Sequence, residues 1–411
     1  MDRNRGIVIV GAGHAGVQLA ASLREEGFEG AITLLSDDPR LPYQRPPLSK
    51  AYMKREATAD SLILRGPAFY EQKQIDLRLG VAAEAIDRAA HAVRLRSGET
   101  LAYSRLVLAT GGLARPFAVP GATLAGVHVL RDMGDADALR DRLENSKNVV
   151  VVGAGFIGLE FAAVAAKARL NVAVVEVAPR VMGRAVSPAL SDFYAEAHRD
   201  FGANVLLGMG VAEIIGTGGK MSGVKLSDGR VLPADFVVVG IGVVARDGLA
   251  KAAGLDCPNG VRVDAQLATS DPDIFAIGDA ALHPNVWGSR EMRLESVQNA
   301  TDQARALART LTGKPTPYDA LPWFWSDQGD LKLQMVGLMD KADAYVTRGD
   351  PATRAFSVFG FAGGKLVAVE SVNKPADHMM ARKLIATGAA LSPEQAGDAD
   401  FDLRALAKAA G

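Results

Sequence analysis

Short runs of β-branched and apolar residues open two stretches of the chain, and each gives way at once to apolar positions at helical spacing. Gly6 to Val10 (GIVIV) has the continuous apolar character of a buried parallel strand. Beyond the glycines that follow, Val17, Ala20, Ala21 and Leu23 fall on one helical face, and Ala31 to Leu35 is the next predicted strand, ending at Ser36-Asp37-Asp38. The arrangement recurs at Val149 to Val152, with a helix expected from Phe161 onward and a strand over Asn171 to Val175 ending in Glu176. Towards the carboxyl end the pattern changes period. Leu331, Leu333 and Met335 alternate with Lys332 and Gln334, and AFSVFGF and KLVAVESV flank Ala362-Gly363-Gly364, which predicts strands and a hairpin. A helix is expected around Ala376 to Thr387. The fold class is therefore α/β with two strand–helix–strand repeats, followed by an α+β domain with an antiparallel sheet.

The turns between strand and helix carry the chemistry. GAGHAG occupies Gly11 to Gly16: Gly11 permits the tight turn, Gly13 lets the backbone approach a pyrophosphate, and Gly16 lets the helix pack closely, with the phosphate on the positive end of the helix dipole. Asp37, 26 positions after Gly11, is placed to accept hydrogen bonds from an adenosine ribose. GAGFIG at Gly153 to Gly158 begins 142 residues later, and Glu176 stands 23 positions beyond Gly153. A carboxylate there suits a ribose diol and repels a 2′-phosphate, favouring NADH over NADPH, although Arg180 and Arg184 leave a phosphate contact open. One such motif is weak evidence; two in matched contexts point to two dinucleotides, so the α/β part is expected to form two Rossmann-like dinucleotide-binding domains. A third signal, TSDPDIFAIGD over Thr269 to Asp279, delivers Gly278 and Asp279 at the end of an apolar run, where a carboxylate can meet a polyol.

Composition narrows the classes. A chain of 411 residues, 48% apolar and 23% charged, is of globular composition and sufficient for two or three domains. The net charge of −1 gives no chain-wide field to hold nucleic acid or anionic lipid, so no nucleic-acid partner is expected. Cys257 is the only cysteine, which excludes an intrachain disulfide, a Cys-x-x-Cys redox pair and a thiolate cage, and fits a reducing cytoplasm. The uncharged run Val149 to Leu159 is too short to cross a membrane, and the first residues lack the apolar core and cleavage site of a secretory signal, so the mature chain is expected to start here. His128, His283 and the other histidines have no ligand spacing, and no metal site is expected.

The order GxGxxG, then ATG within LVLATGG (Leu106 to Gly112), then GxGxxG and TxxxxIFAxGD, resembles the two-dinucleotide-fold flavoprotein reductases, which bind FAD with the first motif and NAD(P)H with the second. Within that family the strings PYQRPPLSKAY, ESVQNA (Glu295 to Ala300) and PWFWSDQ (Pro322 to Gln328) look like the NADH-dependent ferredoxin reductases of bacterial cytochrome P-450 and aromatic-ring dioxygenase systems. The disulfide reductases of the family carry a cysteine pair where this chain reads LPYQRPPLSKAY, without cysteine. The resemblance implies FAD contacts at Gly11, Gly13, Ala15, Gly16, Asp37, Arg45, Lys50, Ala83, Ala109, Thr110, Gly111, Arg131, Gly278, Asp279 and Val297. It implies NAD contacts at Gly153, Gly155, Ile157, Gly158, Glu176 and the turn Gly240-Ile241-Gly242. Lys50, Glu160 and Trp325 are its implied reaction-centre residues: a cation beside the flavin, its counter-charge in the first turn of the second motif's helix, and an aromatic ring at the ferredoxin-facing opening.

The sequence departs from the family's pattern at His14, Gln298 and Val243 to Arg246. Small iron-sulfur ferredoxins are acidic, so a locally basic docking face is expected, with Arg305, Arg309 and Arg65, alongside Lys54 and Arg55, as candidates. The implied domains are 1–111 with 243–321 for FAD, 112–242 for NADH and 322–411 as an interface domain. The acceptor implied is a [2Fe–2S] ferredoxin. A rubredoxin reductase or general NADH:acceptor reductase, and an NADH-sensing flavoprotein of apoptosis-inducing-factor type, stay open at this point.

Overall fold

A computed structural model describes residues 6–410; the reading of the first five residues lies outside them. The chain divides into two compact units. The first collects the residues up to Gln44, Ala59–Leu113 and Val243–Pro322; the second collects Arg45–Thr58, Ala114–Gly242 and everything from Trp323 onward.

The first unit is built on a five-stranded parallel sheet. Its strands run, in spatial order, Ile274–Ala276, Arg105–Leu108, Ile7–Val10, Ile32–Leu35 and Ile75–Arg78. All four residues of Ile7–Val10 are buried, as a central strand covered on both faces requires. The helix His14–Glu25 follows the first glycine turn and packs with Val297–Leu311, whose apolar stripe of Ala300, Ala304, Leu307 and Ala308 is buried.

The second unit repeats the motif and adds to it. Its parallel sheet runs Ala203–Leu207, Asn171–Glu176, Asn148–Val152, Phe236–Val239 and Val127–His128. A five-stranded antiparallel sheet of Trp323–Gln328, Leu331–Gly337, Lys365–Val372, Ala355–Ala362 and Ala344–Asp350 forms the carboxy-terminal part, with the helix Pro375–Thr387 on its strands. The expected hairpin closes through Gly363 and Gly364, both at positive φ, with Ala362 opposite Lys365. The alternation read over Leu331 to Met335 ends early, since Met335 is half-buried and Val336 is buried. That strand is paired on both sides and covered by a helix, so its apolar residues are not confined to one face.

Candidate functional site

The two glycine turns are built alike. Gly11 and Gly153 sit at φ 110° and 100°, where other residues are strained, and Cβ atoms there would meet the carbonyl oxygens of Ala109 and Gly240 at 2.2 and 2.6 Å. Cβ atoms on Gly16 and Gly158 would lie 1.9 and 2.1 Å from the carbonyls of Gly11 and Gly153, so these glycines let each helix close onto its own turn. Gly13 and Gly155 differ. Their φ of −80° suits any residue, and a Cβ on Gly13 would have nothing within 4 Å, while one on Gly155 would have only Gly240 O at 3.9 Å. Neither helix has a side-chain cap at its N-terminus or an acidic residue in its first turn. Space without a steric reason beside an uncapped helix end is the provision a pyrophosphate requires, and the residues present fit two nucleotides.

In the first unit, Asp37 is half-exposed and paired with Arg246, and the Arg246 carbonyl accepts from Thr110 Oγ1 at 2.7 Å. The sequence reading missed this pair, because Arg246 lies far downstream at one of the departures from the family's pattern. Gly278 (φ 72°) donates its N–H to Gln303 Oε1 at 2.7 Å, and the Asp279 carbonyl accepts from Arg293 at 2.7 Å, which leaves the Asp279 carboxylate on a fixed turn. A Cβ on Gly278 would meet the Ala15 Cβ at 3.1 Å, so the Thr269–Asp279 segment and the first glycine turn adjoin. Gln303 reaches His283, which burial holds down to about 4. Ala83 begins the strand Ala83–Asp87 and packs against this unit's core, and Val297 opens the helix Val297–Leu311.

In the second unit, Glu176 is fixed at both oxygens: Oε2 accepts from Ala154 N at 2.7 Å and Oε1 from Ala178 N at 2.9 Å. Its carboxylate therefore stands against the second glycine turn. Arg180 is committed to the carbonyls of Val186 and Gly183 at 2.8 and 2.6 Å, whereas Arg184 approaches the Gly242 turn. Ile157, in the first helical turn, remains exposed. Arg45 donates to the Arg131 carbonyl at 2.7 Å, and Asp135, in the capping box of the helix Met133–Asn145, holds the Arg131 N–H at 2.8 Å.

Lys50 and Glu160 meet. The Lys50 ammonium is 2.8 Å from Glu160 Oε2, with the lysine mostly buried and the carboxylate 4% exposed. The helix begins at Phe156, earlier than read from the sequence, so Glu160 lies in its second turn. The expected first-turn placement is corrected accordingly: Glu160 is buried under partners and does not complement the helix end. Ser49 also donates to Oε2, and Ser326 Oγ donates to Oε1 at 2.6 Å. Trp323 and Trp325 share a face of their strand with centroids 5.6 Å apart, and Arg382 stacks on Trp323 at 4.9 Å. Phe324 points the other way, 4.7 Å from Phe156. Trp325 is half-buried.

The basic candidates are locally engaged: Arg305 pairs with Asp302 at 2.8 Å, Arg65 stacks on Phe69 at 5.4 Å, Lys54 pairs with Glu56 and Arg55 with Glu144. Arg305 and Arg309 are exposed one turn apart on their helix.

Comparison with known proteins places this architecture. The family described as pyridine nucleotide-disulphide oxidoreductase matches residues 5–304, and a reductase C-terminal family matches residues 323–407. The chain belongs to the pyridine nucleotide-disulphide oxidoreductase family. Membership implies the use of a flavin and a pyridine nucleotide, in accord with the paired glycine turns. The chain is 49% identical to rhodocoxin reductase of Rhodococcus erythropolis, covering 97% of this chain and 93% of that protein. A solved ferredoxin reductase from Rhodopseudomonas palustris superposes with a TM-score of 0.96 at 49% identity, over 99% of this chain and all of the other. Putidaredoxin reductase, solved in covalent complex with putidaredoxin, superposes with a TM-score of 0.96 at 40% identity, covering 99% of each chain. Among the described residues no helix is long and apolar enough to cross a membrane.

Proposed function

We propose that the protein is an FAD-dependent NADH:ferredoxin oxidoreductase, taking a hydride from NADH and passing single electrons to a [2Fe–2S] ferredoxin that supplies a cytochrome P-450 or ring-hydroxylating oxygenase. The observation that carries the reading is the buried Lys50–Glu160 pair in a chain whose one cysteine, Cys257, has no partner cysteine. Reducing equivalents leave such a protein without passing through thiols, and the work left to the protein is binding, alignment and charge. The full-length likeness to ferredoxin reductases supports the same reading.

In this reading the first glycine turn, with Asp37 and Asp279, holds the FAD nucleotide, and the second, with Glu176, holds NADH. A flavin held there would supply the chemistry that links a two-electron hydride donor to a one-electron acceptor. Lys50 presents a fixed positive charge where negative charge develops, and Glu160 keeps that ammonium in one place. Glu176, anchored by two backbone N–H groups, accepts from a ribose diol and repels a 2′-phosphate, while Arg180 is already bound to carbonyls. Residues 1–111 with 243–321 serve FAD and 112–242 NADH, while 322–411 form the interface domain, with Trp325 on the acceptor side. A single cysteine fits work in the cytoplasm.

The test is NADH-driven reduction of cytochrome c by the flavin-loaded protein, with and without a [2Fe–2S] ferredoxin from an oxygenase system. Strong dependence on the ferredoxin is expected. Preference for a rubredoxin would change the acceptor assigned. Failure with every ferredoxin, together with a long-lived NADH–flavin charge-transfer band, would replace electron transfer by NADH sensing.

A further inference from the structure

Behind Glu160 lies a row of polar side chains that the proposed reaction does not use. Ser326 and Gln328 are on the strand Trp323–Gln328 and His198 is on the helix Pro188–Asp200, and all three are 0% exposed. Buried polar groups in a core this dry are costly unless paired, so the direction of each hydrogen bond can be worked out from the carboxylate outwards.

Glu160 is acceptor-only. The Ser326 hydroxyl therefore donates its one proton to Oε1, at 2.6 Å, and can only accept from its other neighbour. That neighbour is the Gln328 amide nitrogen at 3.2 Å, whose second contact is the Met182 sulfur at 3.7 Å. With its nitrogen so placed, Gln328 turns its carbonyl oxygen to His198 Nε2 at 2.8 Å, which makes Nε2 the protonated ring nitrogen. His198 Nδ1 has no partner among the described residues, as suits a bare lone pair, and burial disfavours the imidazolium.

Every donor from His198 to Ser326 thus points the same way, towards Glu160. An amide in the middle cannot pass a proton along, so the row does not conduct protons. It is a line of fixed dipoles with their positive ends facing a carboxylate whose other oxygen is held by Lys50 and Ser49.

We propose that Ser326, Gln328 and His198 are positioning residues, which orient the Glu160 carboxylate and through it fix the Lys50 ammonium for hydride transfer. The inference rests on the reading of Lys50 given above. It also accounts for a hydroxyl at Ser326: no other group in the row can receive from Gln328 while donating to Glu160.

Anaerobic stopped-flow reduction of the flavin-loaded protein by NADH tests this, with the midpoint potential of the bound flavin as a second readout. Ser326→Ala is expected to lower the limiting rate of flavin reduction about tenfold, the loss of one hydrogen bond to a charged group, with little change in KM for NADH. It should also shift the potential in the same direction as Glu160→Gln does. In the Glu160→Gln background, Ser326→Ala should add nothing, because the dipoles then have no charge to act on. Gln328→Leu, of similar volume, should give a smaller loss of the same kind.

A native reduction rate and potential in Ser326→Ala would overturn the proposal. So would a loss in the Glu160→Gln background equal to that in the native one, since that is the signature of a packing defect. Lys50→Met separates the two readings. If it reduces flavin at the native rate, the role of Lys50 itself falls; if it is slow while Ser326→Ala is native, only the positioning row falls.

Discussion

Glu370 shows what a single buried carboxylate does to this protein's response to pH. It is 1% exposed on the strand Lys365–Val372 and accepts from the Ser187 N–H at 3.0 Å and the Ser187 hydroxyl at 2.6 Å, joining the carboxy-terminal sheet to the residue that caps the helix Pro188–Asp200. Burial pushes its pKa up to about 7, against the opposing pull of the Ser187 donors and Arg180. The native protein therefore holds a proton between pH 4.5 and about 7 that the unfolded chain has released. The resulting stability is complete below 4.5 and is lost as pH rises through about 7, a swing on the order of 3 kcal/mol. His283 and His378 work in the opposite sense. Burial holds both down to about 4, so their contribution is present above 6.5 and is lost as pH falls through about 4. Thermal melts across this range should show Glu370→Gln less sensitive to rising pH than the native protein, with its stability maximum moved to higher pH. An unchanged profile would mean that Glu370 stays ionised in its site.

At the level of the turn and helix, the three glycines of each motif are not equivalent. Gly16→Ala places a methyl group 1.9 Å from a backbone carbonyl, and should cost on the order of 3 kcal/mol or prevent folding of the first unit. Gly13→Ala has backbone angles any residue adopts and open space around the new carbon, so it should fold with a melting temperature close to that of native apoprotein yet fail to retain flavin. Flavin content after purification, set beside the melting curve of the apoprotein, distinguishes the two. Gly155→Ala should fold likewise but keep its flavin, and raise KM for NADH several-fold. These demands were legible in the sequence because a positive φ or a close backbone approach leaves only glycine, and the Gly363-Gly364 hairpin was legible for the same reason. The helix start at Phe156 was not. Apolar residues run unbroken from the strand through the turn, so period alone does not mark where extended backbone ends. The partnership of Ser326, Gln328 and His198 was not legible, because their burial is imposed by chain segments far away in sequence, and a polar residue on a covered strand or helix reads like one facing water.

Over the whole molecule, a net charge of −1 gives no general attraction for an acidic partner, so any steering of a ferredoxin must come from local cations such as the exposed Arg305 and Arg309. Raising salt from about 0.05 to about 0.5 M should lower kcat/KM for ferredoxin several-fold and leave NADH oxidation by a neutral dye nearly unchanged. A salt-independent ferredoxin rate would remove electrostatic docking. The sequence marked the boundaries of the repeated motifs but not the assignment of residues 45–58, a segment that leaves its neighbours and joins the second unit, anchored by the Tyr52 hydroxyl on Asp137 at 2.6 Å. The chain passes from one unit to the other five times, and the first sheet lacks its edge strand until Ile274–Ala276 has been made. A ribosome translating this message therefore finishes neither unit before Pro322 has been made. Arg105–Leu108 must wait, paired on one side only, for a partner not yet synthesised, which exposes the nascent chain to aggregation and makes cofactor capture a late event in its biogenesis.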